Sequence, residues 1–256
     1  MTSKEEIVAD WLPRYTDTAL KDFGEYILLT NFDDYLHRFS EWYNVPIKGQ
    51  EKPMPSVTAQ GITMINFGMG SANAATIMDL LSAVHPKAGL FLGKCGGIKR
   101  NNKLGDLILP IAAIRGEGTS NDYFPPEVPA LPAFNLQKAV STTIRNHDRD
   151  YWTGTVYTTN RRVWEHDEQF KTYLRRVRAM AVDMETATLF ITGFYNKIPA
   201  GALLLVSDQP MIHSGIKTAE SDKKVTQQFA DTHLHIGIDS LKELINNGLT
   251  VKHLRF

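Results

Sequence analysis

Short, continuously apolar runs alternate along the chain with longer segments in which apolar residues recur at helical spacing. The runs at 26–30, 88–93 and 201–206 have the length of strands, and such runs are typical of strands buried on both faces. Helical spacing follows the first run at 32–39 and returns near the end of the chain. We therefore expect a single α/β domain with a central, mixed β-sheet flanked by helices on both sides.

Turn signals and residue types complete the expected order of elements. Gly61 separates two short apolar segments, which predicts a hairpin, and Pro110 within a strand at 104–114 predicts a bend or an edge position. Further strands are expected at 152–159 and 180–183. The remaining predicted helices are 71–84, 134–146, 168–178, 186–196 and 221–248.

The composition is that of an ordinary globular protein, and it gives the surface no overall charge. Of 256 residues, 43% are hydrophobic and 22% are charged, and 28 Lys and Arg balance 28 Asp and Glu. This balance argues against binding to nucleic acid or to an anionic membrane, so an anion site must be a local cluster. We expect one main domain at 25–256 after a short lead-in at 1–24.

Cysteine usage and the N-terminus both favour a cytoplasmic protein. The single Cys95 excludes an internal disulfide and fits a reducing compartment. The N-terminus lacks the apolar core of a signal peptide, and no apolar run reaches the roughly 20 residues of a membrane helix. One cysteine and scattered histidines indicate no metal site, and we expect no cofactor.

Acidic residues follow two of the predicted strands. Asp183 and Glu185 end the run at 180–182, and Asp208 ends the run at 201–206. Strand ends of this kind lie where α/β proteins usually bind ligands, so two neighbouring strands are expected to deliver carboxylates to one edge. The alternative is that these acids cap helices or finish turns.

A glycine turn and three arginines are the other candidates for ligand contact. Gly68-Met69-Gly70 precedes a helix that Ser71 can cap, and its N–H groups can approach an anion; the alternative is a plain tight turn. Asn73 replaces the third glycine of a dinucleotide fingerprint. The basic candidates are Arg115 with Thr119 and Ser120, and the pair Arg161 and Arg162. Arg115 can equally pair with an acid at a surface turn, and the pair can face solvent.

Four motifs together resemble the nucleoside phosphorylase and nucleosidase superfamily. They occur in the family's order at 68–70, 93–97, 182–185 and 207–208. The match is most similar to the catalytic domain of AMP nucleosidases and runs from about residue 24 onward. The resemblance implies hydrolysis of the N-glycosidic bond of AMP, which gives adenine and ribose 5-phosphate.

The resemblance also implies roles for individual residues. Glu185 stands at the position of the carboxylate that grips the ribose 2′- and 3′-hydroxyls. Met184 would pack beneath the sugar, and Met69, beside Gly70 in the glycine turn, would touch its other side. Asp208 matches the acid that gives a hydrogen bond to purine N7, which makes adenine a better leaving group.

Departures from the family pattern favour water over phosphate as the nucleophile. Phosphorylases of the group hold phosphate with a Gly-Asp-Pro-x-Arg turn after the first strand, where this chain has neither the glycine nor the arginine at 31–35. Phe91 and Lys94 replace a further arginine and hydroxyl. Asp33 or Asp34 is then the candidate to position a water, and Lys94 joins the arginines as a candidate for the 5′-phosphate.

Several alternatives stay open at this point. A phosphate-dependent purine nucleoside or uridine phosphorylase has the same fold, and a non-catalytic nucleotide-binding protein would also keep it. An oxidoreductase is disfavoured by the incomplete glycine fingerprint. The resemblance implies a homo-oligomer, often of dimers assembled into hexamers. The basic partner of Asp208 is one of three residues, Lys217, Lys223 or Lys224.

Overall fold

The computed structural model describes residues 2–246, which form eight strands and seven α-helices. The strands are β1 (Tyr26–Thr30), β2 (Ser56–Ala59), β3 (Ile62–Asn66), β4 (Ala88–Gly97), β5 (Leu107–Gly116), β6 (Tyr151–Thr159), β7 (Ala181–Asp183) and β8 (Ala200–Asp208). The helices are α1 (Lys4–Thr16), α2 (Asp33–Tyr43), α3 (Ser71–Leu81), α4 (Phe134–Asn146), α5 (Glu168–Arg176), α6 (Thr186–Tyr195) and α7 (Ala219–Asn246).

The strands form one mixed sheet, part of which closes on itself. β1 lies between β3 and β4 and is parallel to both, while β2 completes the predicted hairpin with β3. β4 is parallel to β8, β8 is antiparallel to β5, and β5 is parallel to β6. β6 is parallel to β7, which returns antiparallel to the end of β4. The mixed sheet is confirmed, and its closure through β4 is a feature that the sequence pattern does not predict.

The sheet is buried on both faces, as the continuous apolar runs predicted. Ile27 and Leu29 of β1 face one hydrophobic cluster, whereas Leu28 faces the other. Alternation along β8 follows the same rule, with Leu204 on the first side and Leu203 on the second. Because side chains alternate across a strand, a strand covered on both faces needs apolar residues at consecutive positions.

Helices cover the two faces in two groups. The first cluster contains buried side chains of α1, α3 and α6, and the second contains those of α2, α4 and α7. Helix α1 lies in the predicted lead-in, and its Val8 and Leu12 are buried in the first cluster. Between residues 2 and 246, no helix is both long enough and apolar enough to cross a bilayer.

Strand β4 runs beyond its predicted end, and strand β5 bends as predicted. β4 was expected to end at residue 93, but it continues through Gly97 because β7 and β8 both pair with its last residues. The bend predicted at Pro110 is confirmed, since the β5–β6 register shifts between Pro110 and Ala112. The last two residues of the helix predicted at 221–248 lie outside the described residues.

A buried polar pair joins helices α2 and α7 to the sheet. Burial lowers the pKa of His233 to about 4, so its ring is neutral near pH 7. The Tyr35 hydroxyl lies 2.7 Å from His233 Nδ1, and His233 Nε2 lies 3.0 Å from the Leu203 carbonyl oxygen. The carbonyl only accepts, so Nε2–H donates to it and Nδ1 accepts from the tyrosine.

Replacing Tyr35 by phenylalanine should therefore destabilise the protein. The change leaves the buried Nδ1 without a donor, and such an unsatisfied group costs about 1–3 kcal/mol. Urea unfolding at pH 7 measures the loss, with Tyr195→Phe on the half-exposed Tyr195 as the matched control. An unfolding midpoint unchanged from the wild type would contradict this account of the pair.

Candidate active site

A cavity opens between the end of β1 and the last residues of β4, β7 and β8. Residues 31–32, 94–96, 182–185 and 207–208 line it. The segment that follows β6 forms a further wall. Carboxyl groups and basic side chains from separate parts of the chain are therefore brought together.

Gly96 is the position on β4 where the two acid-bearing strands approach each other. It pairs with Val182 of β7 on one side and with Asp208 of β8 on the other. A Cβ on Gly96 would lie 2.9 Å from Pro210 Cγ and 3.2 Å from Asp208 Oδ2, so a side chain there would press on the acid. The expectation of neighbouring strands is wrong, because β4 separates β7 from β8 and they run in opposite directions.

Asp183 is held by hydrogen bonds inside the protein. Its Oδ1 accepts from the Thr158 hydroxyl at 2.7 Å, and its Oδ2 accepts from both the backbone N–H and the hydroxyl of Thr186, the first residue of α6. The capping alternative therefore describes Asp183, which fixes the start of the helix. Burial raises the pKa of Asp183, and the hydrogen bonds from Thr186 and Thr158 oppose that effect.

Glu185 is the N-cap residue of α6. It is buried, and backbone N–H groups hold its side chain. Only 2% of the residue is exposed. Its Oε1 accepts from Gly70 N–H at 2.8 Å, and its Oε2 accepts from Met184 N–H at 3.2 Å. Within the glycine turn it is thus the Gly70 N–H that contacts an acid of the protein itself, Glu185.

The glycine turn needs both of its glycines to make this contact. Gly68 and Gly70 have φ values of +80° and +96°, a region that residues with a Cβ rarely adopt. Ser71 was expected to cap helix α3, but it is the first residue of the helix, and its hydroxyl donates to the Met184 carbonyl oxygen at 2.7 Å. The turn is therefore tied to the segment after β7 at two points.

Burial and the neighbouring Asp183 carboxylate raise the pKa of Glu185 to about 8. The hydrogen bonds from Gly70 and Met184 favour the charged form and offset part of this rise. A ligand that brings hydroxyl donors to Glu185 would favour the carboxylate further.

Asp208 is buried at the end of β8 with 9% of its surface exposed. The Ser207 hydroxyl donates to its Oδ1 at 2.6 Å. Burial raises the pKa of Asp208, while Ser207 and Lys217 act in the opposite direction. Of the three candidate lysines, Lys217 lines the cavity, whereas Lys223 and Lys224 do not.

Lys94 lines the cavity, but its charge is already partnered. Its side chain is 5% exposed, and its Nζ lies 2.9 Å from Asp222 Oδ1 and 2.8 Å from Thr226 Oγ1, both on helix α7. Lys217 Nζ lies 3.1 Å from the same Asp222 oxygen. Lys94 also lies over the Phe32 ring, 4.4 Å from its centroid. Lys94 and Lys217 therefore share the single carboxylate of Asp222.

Arg161 and Arg162 line the cavity from the segment after β6. Arg161 pairs with Asp167 at 2.9 Å, and Arg162 lies 3.4 Å from Glu165. Both arginine side chains are about half exposed, and such pairs contribute only about 0–1 kcal/mol. Either guanidinium can therefore turn towards an anionic ligand.

The Arg115 side chain stabilises the loop at 120–128 through hydrogen bonds. Its guanidinium donates to the Ser120 hydroxyl, the Asn121 side chain and three backbone carbonyl oxygens, which uses all five of its N–H groups. Neither Arg115 nor Thr119 nor Ser120 lines the cavity. Their expected contact with an oxyanion is therefore corrected, because the arginine's donors hold the loop at 120–128.

Asp33 and Asp34 also lie away from the cavity lining. Both are in the first turn of α2, where carboxylates interact favourably with the helix dipole. Asp33 accepts a hydrogen bond from Asn66, and Asp34 pairs with Arg38 at 2.6 Å. The expectation that one of them positions a water is corrected, because both carboxylates have these other partners.

The cavity contains residues that the sequence did not single out. Asn31 and Phe32 lie just before the two acids that were proposed, and Trp164 and Glu165 belong to a loop without a recognisable pattern. Thr159 ends β6 and also lines the cavity. The strand-end rule that selected Asp208 would have found Thr159 if hydroxyls had been included.

Comparisons with known proteins agree on one family. A family model described as the phosphorylase superfamily matches residues 26–243. AMP nucleosidase from Escherichia coli (strain K12) is 29% identical, and the match covers 93% of this chain. The chain spans 58% of that curated relative's length.

Solved structures extend the likeness. The crystal structure of AMP nucleosidase from Bacteroides thetaiotaomicron VPI-5482 is 60% identical with a TM-score of 0.87, covering 96% of this chain and 99% of that chain. Uridine phosphorylase from Vibrio fischeri ES114 is 20% identical with a TM-score of 0.77, covering 88% of this chain and 94% of that chain. The similarity to the uridine phosphorylase shows a shared fold alone.

Replacing Glu185 by glutamine should change how stability depends on pH. A pKa of about 8 in the folded protein, against 4.5 for a free side chain, means that folding favours the protonated acid. The stability of the wild type relative to Glu185→Gln is then highest near pH 4 and falls as the pH rises towards 8. The fall should reach at least about 1.4 kcal/mol, the value of one pKa unit.

Urea unfolding of both proteins at several pH values measures this difference. Glu51→Gln, which removes an exposed carboxyl, controls for the loss of one surface charge. If the difference between wild type and Glu185→Gln stayed constant over the same range, the raised pKa of Glu185 would be wrong.

Proposed function

We propose that this chain, which belongs to the phosphorylase superfamily, hydrolyses the N-glycosidic bond of AMP to adenine and ribose 5-phosphate. The observation that carries the proposal is the placement of two buried carboxyl groups, Glu185 and Asp208, in one cavity with two arginines at its wall. The likeness to a solved AMP nucleosidase at 60% identity supports the choice of substrate.

Glu185 would bind the ribose. Its carboxylate accepts hydrogen bonds from the 2′- and 3′-hydroxyls, and these donors favour its charged form. Cleavage leaves positive charge on the sugar, so a carboxylate held in place by Gly70 and Met184 stabilises that charge as it develops. Met184 and the half-exposed Met69 both line the cavity and supply apolar contact to the two sides of the sugar.

Asp208 would assist the departure of adenine. Burial favours its protonated form, and a protonated carboxyl donates to N7 as negative charge develops on the base. Lys217, which also lines the cavity, would stabilise the carboxylate that remains after proton transfer. Burial thus favours the protonated form of Asp208 before the reaction, and Lys217 stabilises its carboxylate after the proton has been transferred.

Arg161 and Arg162 are the residues that we assign to the 5′-phosphate. Both line the cavity and are held by weak surface pairs, and a guanidinium binds phosphate oxygens through two parallel hydrogen bonds. The Thr159 hydroxyl lies on the same wall. Lys94 is a weaker candidate because its Nζ already pairs with Asp222 and Thr226.

The electrostatics of the cavity favour water over inorganic phosphate as the nucleophile. Lys94, which lies over the Phe32 ring, and Lys217 both pair with Asp222. A phosphate dianion would have to compete with that carboxylate for either lysine. Water carries no charge and needs no such partner.

Three broader assignments accompany this function. We propose that 25–256 form the catalytic domain and 1–24 a lead-in, that the protein is a homo-oligomer of the dimers-in-a-hexamer kind, and that it is cytoplasmic. The resemblance to the superfamily supports the first two, and the single cysteine supports the third.

The purified protein should release adenine from AMP in the complete absence of phosphate. Chromatographic identification of the products should find ribose 5-phosphate, and added phosphate should not change the sugar product. Asp208→Asn should lower the rate by about 10²–10⁴-fold, since general acid catalysis is worth that much. This variant ties the activity to the cavity and excludes a contaminating enzyme.

Two results would contradict the proposal. A sugar product that becomes ribose 1,5-bisphosphate only when phosphate is present would identify a phosphorylase. No release of adenine from AMP by the wild type would also contradict it, and the same assay on adenosine and inosine with phosphate would then separate a nucleoside phosphorylase from a non-catalytic protein.

Removing the two arginines should weaken AMP binding more than adenosine binding. Arg161→Ala and Arg162→Ala each remove a charge-assisted contact, so the KM for AMP should rise about 10-fold per residue while the KM for adenosine changes little. Arg115→Ala is not a suitable control, because it would release a loop; Arg100→Ala, outside the cavity, is the matched variant. Equal effects on both substrates would remove these arginines from phosphate binding.

A further inference from the structure

Asn31 has an unsatisfied hydrogen-bond acceptor beside the cavity. The residue follows Thr30, the last residue of β1, and lines the cavity. Its Oδ1 is buried and has no hydrogen-bond partner. Among the residues from 2 to 246, Glu117 Oε2 is the other buried side-chain atom in this condition, and Glu117 does not line the cavity.

The orientation of the Asn31 amide follows from its neighbour. A hydrogen-bonding interaction of the Asn31 side chain lowers the pKa of Glu185, so it favours the carboxylate, and only the Nδ2 end of an amide can donate. In the substrate complex, where ribose hydroxyls keep Glu185 charged, a flipped amide would turn its oxygen towards the carboxylate and lose that interaction. The free end is therefore the acceptor, and it needs an N–H or O–H donor.

An acceptor left in this state is costly unless a ligand uses it. Burying an unsatisfied group costs about 1–3 kcal/mol, and such groups in native structures call for an explanation. Asn31 lines the cavity and favours the charged form of Glu185. A donor that arrives with the substrate complex would satisfy Oδ1.

The sheet places Asn31 on the opposite side of β4 from Asp208. β1 pairs with β4 on one edge and β8 pairs with the other edge. Asp208 marks the side where the base would lie, and Asn31 and Glu185 lie on the side of β1 and β7. A nucleophile that displaces the base must approach C1′ from the face opposite the bond that breaks.

We propose that Asn31 Oδ1 accepts a hydrogen bond from the water that attacks C1′ of the ribose, and so orients it. The inference rests on the proposed hydrolysis of AMP. The water oxygen forms a bond to C1′ as the bond from C1′ to N9 breaks. The electron pair of that bond goes to adenine, which takes the Asp208 proton at N7. The proton lost by the water passes to solvent, from which Asp208 is reprotonated.

This assignment replaces the two acids that follow Asn31. Asp33 and Asp34 have other partners, Asn66 and Arg38, whereas the Asn31 acceptor is free. The amide is neutral, so it adds no further negative charge beside Glu185. It can still hold a water through its oxygen. The amide therefore orients the water, and the positive charge that develops at C1′ makes the water reactive.

Asn31→Ala tests the proposal through a separation of kcat from KM. Loss of the water's orientation should lower kcat about 10²-fold, the scale of a misplaced reacting group, while the KM for AMP changes less than about threefold. Asn101→Ala removes the same group from an exposed loop and should leave both constants unchanged. Wild-type hydrolysis of AMP, measured alongside, tests the proposed function separately from the role of Asn31.

Competition between water and methanol provides a readout that a purely structural role would not move. In water–methanol mixtures the wild type should give mainly ribose 5-phosphate. In Asn31→Ala, methanol should take a severalfold larger share and give the methyl riboside 5-phosphate, because the water is no longer held and the side chain leaves space. If Asn31→Ala does not fold, Asn31→Ser replaces it in the same measurements.

Three outcomes would overturn the inference. An unchanged kcat would show that Asn31 does not assist the reaction. A raised KM with an unchanged kcat would assign Oδ1 to a ribose hydroxyl. A lowered kcat with an unchanged share of methanol product would mean that Asn31 acts only by holding Glu185.

Discussion

The burial of carboxyl groups around Gly96 is the constraint on which the rest of the site depends. Removing a carboxylate from water is costly unless hydrogen bonds replace its hydration. Here the replacements come from the backbone of the glycine turn, from Thr158 and Thr186, and from Ser207. Each acid is held differently, and its chemistry follows from how much of its hydrogen-bonding capacity remains free.

The hydrogen bonds of the three acids indicate a structural role for Asp183 and chemical roles for Glu185 and Asp208. Asp183 receives three donors from within the protein and anchors α6, so little of it is left for a ligand. Glu185 keeps lone pairs for ribose hydroxyls because two backbone N–H groups and the Asn31 amide use only part of its capacity as an acceptor. Asp208, with one hydroxyl donor and a raised pKa, can hold a proton for the base. The partnering of Lys94 with Asp222 then favours a neutral nucleophile.

Local patterns in the sequence were enough to predict the elements and part of the site. Continuous apolar runs predicted the buried strands, and the strand-end rule found Glu185 and Asp208, which do line one cavity. The sequence could not reveal that β4 runs on to Gly97, because its pairing with β7 joins residues more than eighty positions apart. For the same reason the closure of the sheet was not predicted. Arg115 was misread because its partners, the carbonyls at 124–128, become apparent only in three dimensions. The pairing of Asp34 with Arg38 is an i, i+4 pair within the helical pattern at 32–39, and the sequence alone could have revealed it.

A crystal structure of the Asp208→Asn variant with AMP would test the central claim most directly. The account predicts both ribose hydroxyls within hydrogen-bonding distance of Glu185, purine N7 beside residue 208, and the 5′-phosphate on the wall that carries Arg161 and Arg162. A nucleotide bound outside this cavity, or bound in it with the base at Glu185 and the ribose at residue 208, would contradict it.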